Sequence, residues 1–168
     1  MSVKVLVVDD STTIQKVISI TLSGSGYELV ESKNEADLFS RLEQDVFDLI
    51  LLDFNLEEGR SGYELVKKVN ELSPNSSILV MLGTFDTVDD SKFMFSNRIE
   101  KIVKPFESSK FIKKCADLIQ KAESVSLDEI SESFQGTSID DDQVSTEDQV
   151  NQWVVDTSSV KTENKIEL

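Results

Sequence analysis

Over about the first 120 residues, apolar runs of two kinds alternate. Val3–Val8 (VKVLVV) is a short β-branched run, as expected of a strand covered on both faces. It stops at Asp9-Asp10-Ser11-Thr12, which predicts a helix cap. Ile14, Val17, Ile18 and Leu22 then recur at helical spacing until Gly24 and Gly26. Tyr27–Val30 reads as a second strand, and Asn34 as the cap of a helix carrying Ala36, Leu38, Phe39 and Leu42. Phe47–Leu52 is the strongest strand signal and ends at Asp53. A loop with Gly59 and Gly62 leads to a helix near Tyr63–Leu72, broken by Ser73-Pro74. Ser77–Leu82 is a fourth strand stopped by Gly83. A weaker helix follows at Val88–Phe95, then a fifth strand at Ile99–Val103 before Lys104-Pro105. Phe111, Ile112, Cys115, Ala116, Leu118 and Ile119 mark a last amphipathic helix.

Five strands alternating with five helices predict an α/β fold: a doubly wound, five-stranded parallel sheet with right-handed crossovers. In such a sheet, functional groups collect at the carboxyl ends of the strands. Asp9, Asp10, Asp53, Thr84 and Lys104 all fall at such ends. Residues far apart in sequence are thereby expected along one edge.

Charge changes the picture beyond Ala122. Residues 123–168 hold 12 acidic and 2 basic residues and twelve Ser or Thr, with sparse apolar positions. That composition predicts one folded domain over 1–122 and a disordered acidic tail or linker over 123–168, with a helical start at Ser126–Phe134. Its one apolar patch, Val150–Asp156 around Trp153, has the look of a short partner-binding motif. The net charge of −15 argues against nucleic acid or an anionic membrane as the main partner. The chain has no histidine, which excludes His-based triads and the usual zinc sites. Cys115, the single cysteine, cannot form an internal disulfide and reads as a small core residue. With neither a signal-peptide pattern nor a membrane-length apolar run, a cytoplasmic protein is expected.

The chemistry expected at the edge follows from its charges. Three carboxylates in one place repel each other, and a divalent cation with hard oxygen ligands, Mg²⁺, relieves that repulsion. A carboxylate beside such an ion can attack a phosphoryl group, while an ammonium group neutralises the transferring oxygens. Asp9, Asp10, Asp53 and Lys104 supply these parts.

VLVVDDS (Val5–Ser11), DLILLDFNL (Asp48–Leu56), SGYEL (Ser61–Leu65) and VKPF (Val103–Phe106) together resemble the receiver domain of two-component response regulators, a flavodoxin-like fold of bacterial signalling. The resemblance implies that Asp53 is the phosphoacceptor and not part of a classical enzyme. It implies that Asp10 is a direct Mg²⁺ ligand, Asp9 a companion acid, Asp53 and the Asn55 backbone carbonyl further ligands, and Lys104 a holder of a phosphoryl oxygen. It also implies a cis Lys104-Pro105 bond. The donor would be a phosphohistidine on a sensor kinase or phosphotransfer protein, and the output a contact with another protein.

The switch half departs from the family pattern. Leu82 or Gly83 stands where the family has Ser or Thr, and Thr84, the nearest hydroxyl, is one or two positions late. Lys101 replaces the aromatic residue three before Lys-Pro. Asn97 and Arg98 replace a small pair, and Glu57-Glu58-Gly59-Arg60 lacks the usual proline. With Phe93, Met94 and Phe95, these changes predict a specialised partner face on the fourth helix and fifth strand, supported if Phe93 or Phe95 is exposed. They also keep open a pseudo-receiver, a docking module independent of phosphate. A dehalogenase-type phosphatase needs an Asp two residues after its nucleophile, where Ser11 or Thr12 stands here. A flavin carrier would have its phosphate repelled by Asp9 and Asp10.

Overall fold

A computed structural model describes residues 2–56 and 59–133. Five parallel strands, β1 (Lys4–Val8), β2 (Glu28–Ser32), β3 (Leu49–Asp53), β4 (Ser77–Leu82) and β5 (Ile99–Val103), lie in the order β2-β1-β3-β4-β5. Four α-helices accompany them: α1 (Thr12–Leu22), α2 (Glu35–Gln44), α3 (Gly62–Leu72) and α4 (Ser108–Ser133). Register is set at the centre, where Val5 pairs with Leu49 and Leu49 in turn with Ser77.

Strand alternation divides the core between the two faces of the sheet. Leu6, Val8, Ile50, Leu52, Ile78 and Val80 pack with Leu38 of α2 and with Leu65, Val66 and Val69 of α3. Val5, Val7, Leu49, Leu51, Leu79 and Met81 pack with Ile18 and Leu22 of α1 and with Phe111, Cys115 and Leu118 of α4. Both faces of β3 and β4 are therefore covered, which explains why those strands read as unbroken apolar runs. Burial pushes the Cys115 thiol up to about 12, as befits an inert core residue.

The predicted caps form. Ser11 accepts from the Ile14 amide at 3.4 Å and Asn34 from the Asp37 amide at 2.9 Å. The turn after α1 places Gly26 at φ +72°, where a side chain would be strained.

One expectation is corrected. The helix expected at Val88–Phe95 is only a single 3₁₀ turn, Asp90–Phe93. Asp89 caps it by accepting from the Ser91 amide and hydroxyl, so short polar side chains satisfy the backbone where an α-helix would have begun. The last helix, α4, runs unbroken to Ser133, along the helical stretch read at Ser126–Phe134 as far as the described residues go. The rest of the expected tail, with the Trp153 patch, lies outside the described residues, as do Glu57 and Glu58. No helix among the described residues is long and apolar enough to cross a membrane.

Candidate functional site

Three strand ends build the site. Asp9 follows β1 directly, and its amide donates to the Ser32 carbonyl of β2 at 3.2 Å. Asp53 is the last residue of β3. Lys104 follows β5, with its amide on the Leu82 carbonyl of β4 at 2.7 Å. These main-chain bonds continue the sheet by one residue, so each side chain leaves from a fixed point. The Lys104-Pro105 bond is cis, as the resemblance implies.

The side chains converge. Lys104 Nζ lies 2.9 Å from Asp53 Oδ1 and 3.2 Å from Asp9 Oδ2. Asp9, Asp10 and Asp53 can each present a carboxylate oxygen within 4.8 Å of the other two. Asp9 is fully buried, Asp53 nearly so, and Asp10 half-buried at the opening. Burial raises the Asp9 carboxyl above the usual carboxylate range, and the nearby Asp53 charge adds to this. The Ser11 amide (2.9 Å from Asp9 Oδ1) and Lys104 oppose it without cancelling it. Burial alone would lower the Lys104 ammonium. Its hydrogen bond to Asp53 and the charges of Asp53 and Asp9 outweigh that, so it is held above its ordinary value and remains a cation at neutral pH.

One ammonium facing three carboxylates leaves negative charge over. The donor set is hard oxygen throughout, grouped closely enough for one small divalent ion, so the residues fit Mg²⁺.

The remaining expected residues stand at the rim. Asn55 turns its amide toward Asp53 Oδ1 at 3.4 Å, while its side-chain amide donates to Asp86 Oδ2 at 2.7 Å. Thr84 is exposed, and its hydroxyl donates to the Lys104 carbonyl at 2.8 Å. It fastens the β4 loop to the β5 loop. Lys101 ion-pairs with Asp90 and lies 5.8 Å over the Phe93 ring. Phe93 is buried edge-on against Phe54 and tilted against Tyr63, so an aromatic from the 3₁₀ turn fills space beneath the lysine. Phe95 is 48% exposed and Met94 82% exposed, which meets the condition set for a partner face, although the fourth helix expected to carry it is absent.

Two contributors were not anticipated. Gln15 of α1 is buried and donates through Nε2 to the Asp9 and Ser32 carbonyls, both at 2.9 Å, pinning the β1 end from below. Its place in the apolar stripe of α1 was the available signal. Asp86 is the other, and no spacing rule points to it.

A doubly wound parallel sheet with acids at the ends of β1 and β3 and a lysine at the end of β5 is the arrangement that the sequence resemblance implies. The family description of the response regulator receiver domain matches residues 5–116, and the chain belongs to that family. It is 34% identical over 110 residues to chemotaxis protein CheY1 of Helicobacter pylori, covering 61% of this chain and 86% of that one. Against the phosphate regulon transcriptional regulatory protein PhoB of Escherichia coli the identity is 26% over 142 residues, covering 83% of this chain and 61% of PhoB. Against the transcriptional regulatory protein ZraR of Klebsiella oxytoca it is 28%, and the chain spans only 24% of that relative. Among solved structures, Vibrio cholerae chemotaxis protein CheY4 superposes with a TM-score of 0.61 at 27% identity, over 70% of this chain and 99% of that one. Receiver domains are signalling modules of two-component systems rather than classical enzymes, and they bind Mg²⁺ at an acidic pocket of this kind.

Proposed function

We propose that Asp53 accepts a phosphoryl group from a phosphohistidine on a sensor kinase or phosphotransfer protein, and that the chain signals in the cytoplasm by contact with an output protein. The observation that carries this is the Lys104 ammonium held by both Asp53 and Asp9 beside a third carboxylate. An Asp53 carboxylate oxygen attacks phosphorus, the donor P–N bond breaks, and its electron pair returns to the imidazole. Lys104, kept protonated, moves from carboxylate oxygens to a phosphoryl oxygen without leaving the pocket. Asp10, Asp9, Asp53 and the Asn55 carbonyl would hold Mg²⁺, which when bound supplies positive charge against the transferring oxygens. Phe95 and Met94 mark the face for the output partner.

The second reading, a docking module independent of phosphate, draws on two contacts. Thr84 is engaged by the Lys104 carbonyl, and Lys101 stands in place of the family's aromatic. One experiment separates the two readings. Intact mass after incubation with Mg²⁺ and acetyl phosphate is expected to show a single phosphoryl adduct, absent in Asp53→Ala and absent without Mg²⁺. No adduct on folded protein at saturating Mg²⁺ would leave the docking module as the surviving reading.

A further inference from the structure

The β3–β4 ladder ends abnormally beside the pocket. Asp53 pairs with Met81, and the Phe54 amide donates to the Met81 carbonyl at 3.0 Å. In a parallel ladder the next bond would run from the Gly83 amide to the Phe54 carbonyl. The Gly83 amide instead donates to Asp86 Oδ2 at 2.6 Å, within a turn closed by the Asp86 amide on the Gly83 carbonyl at 3.1 Å. The same Asp86 oxygen takes the Asn55 side-chain amide at 2.7 Å, and the Asn55 backbone amide faces Asp53. A Cβ on Gly83 would approach that Asp86 oxygen to 3.2 Å, so a larger residue there would press on the carboxylate by a few tenths of an ångström.

Two donors at the rim of an acid pocket are thus already filled by an anion of the chain itself. Donors of this type, a main-chain amide and a side-chain amide at a strand end, are what an arriving phosphoryl group would use. We propose that Asp86 is a positioning residue that occupies the Gly83 and Asn55 donors and must release them as Asp53 is charged, thereby setting how readily Asp53 takes a phosphoryl group. The role rests on Asp53 being the acceptor. It acts in two ways: the carboxylate holds donors that the phosphoryl oxygens need, and its charge opposes the incoming anion.

The test uses the full chain with acetyl phosphate at Mg²⁺ concentrations shown by calorimetry to saturate each protein. The rate of adduct formation is followed by intact mass for wild type, Asp86→Asn and Asp86→Ala. The asparagine keeps the acceptor oxygen and removes the charge, while the alanine removes both. Asp86→Ala is expected to be fastest, about fivefold over wild type at low salt, with Asp86→Asn between them. The asparagine gain shrinks as ionic strength rises. Without Mg²⁺, the Gly83 amide is expected to exchange faster with solvent in Asp86→Ala. A brace that merely holds the loops gives the opposite order, with asparagine like wild type and alanine slower, and overturns the proposal. So does equal labelling of all three, or an unchanged Gly83 amide. If none of the three is labelled, Asp53 is not the acceptor and the role of Asp86 falls with it.

Discussion

Asp9 is an acid held at an electrostatic cost. It is wholly buried, raised above its ordinary carboxyl value by that burial, and only partly compensated by Lys104. A carboxyl raised in the folded state binds its proton more tightly there than in the unfolded chain. It therefore favours folding below the unfolded value, near the ordinary 3.8, and that contribution is lost as pH rises through the folded value. Asp9→Asn is accordingly expected to raise the thermal midpoint at neutral pH by a few degrees, with the gain vanishing below about pH 4. Melting curves across pH for both proteins check this, and a gain that persists in acid would contradict it. Much of this residue-scale site was legible in the sequence. Asp9, Asp10, Asp53 and Lys104 each sit at the end of an apolar run, where strand geometry alone fixes their place. Asp86 and Gln15 were not. The bond from Asp86 to Asn55 spans a separation of 31 in sequence between two loops, and no periodicity records such a contact.

At the scale of elements, the β4–β5 connection shows where pattern reading fails. Val88, Phe93 and Phe95 suggested a helical face, but an α-helix needs more than spacing. Asp89 accepts from both the amide and the hydroxyl of Ser91, and only one 3₁₀ turn remains before β5. That turn is held by Phe93, which lies against Phe54 and Tyr63 and beneath Lys101. Phe93→Ala is expected to cost about 3 kcal/mol of stability, read by chemical denaturation. A loss under about 1 kcal/mol would mean that Lys101 and Asp90 hold the turn without the ring. Beyond Ala122, α4 continues through a polar stretch on backbone bonds, where the sequence had offered a separate helical start at Ser126.

On the scale of the whole molecule, the pocket draws on β1, β3 and β5, three of the five strands, with β4 lying between β3 and β5. A cation held by these residues binds the folded sheet and not the separated segments. Mg²⁺ at about a hundredfold its dissociation constant is then expected to stabilise the fold by about 2.7 kcal/mol. Thermal melts with and without Mg²⁺ measure this, and Asp10→Asn should remove most of the increment. An increment of equal size in that variant would place the ion elsewhere. The parallel order and the convergence at one edge followed from the alternation of strand and helix signals, because right-handed crossovers leave few other arrangements.

Lys104 reaches two carboxylates that belong to different strands, and its ammonium is kept both protonated and largely shielded. An amine in that condition is a poor nucleophile. Reagents that acylate the surface lysines would pass it over until something draws it away from its acids. The lysine thus carries a chemical record of the pocket, since its reactivity toward an acylating reagent reports whether Asp9 and Asp53 are still its partners.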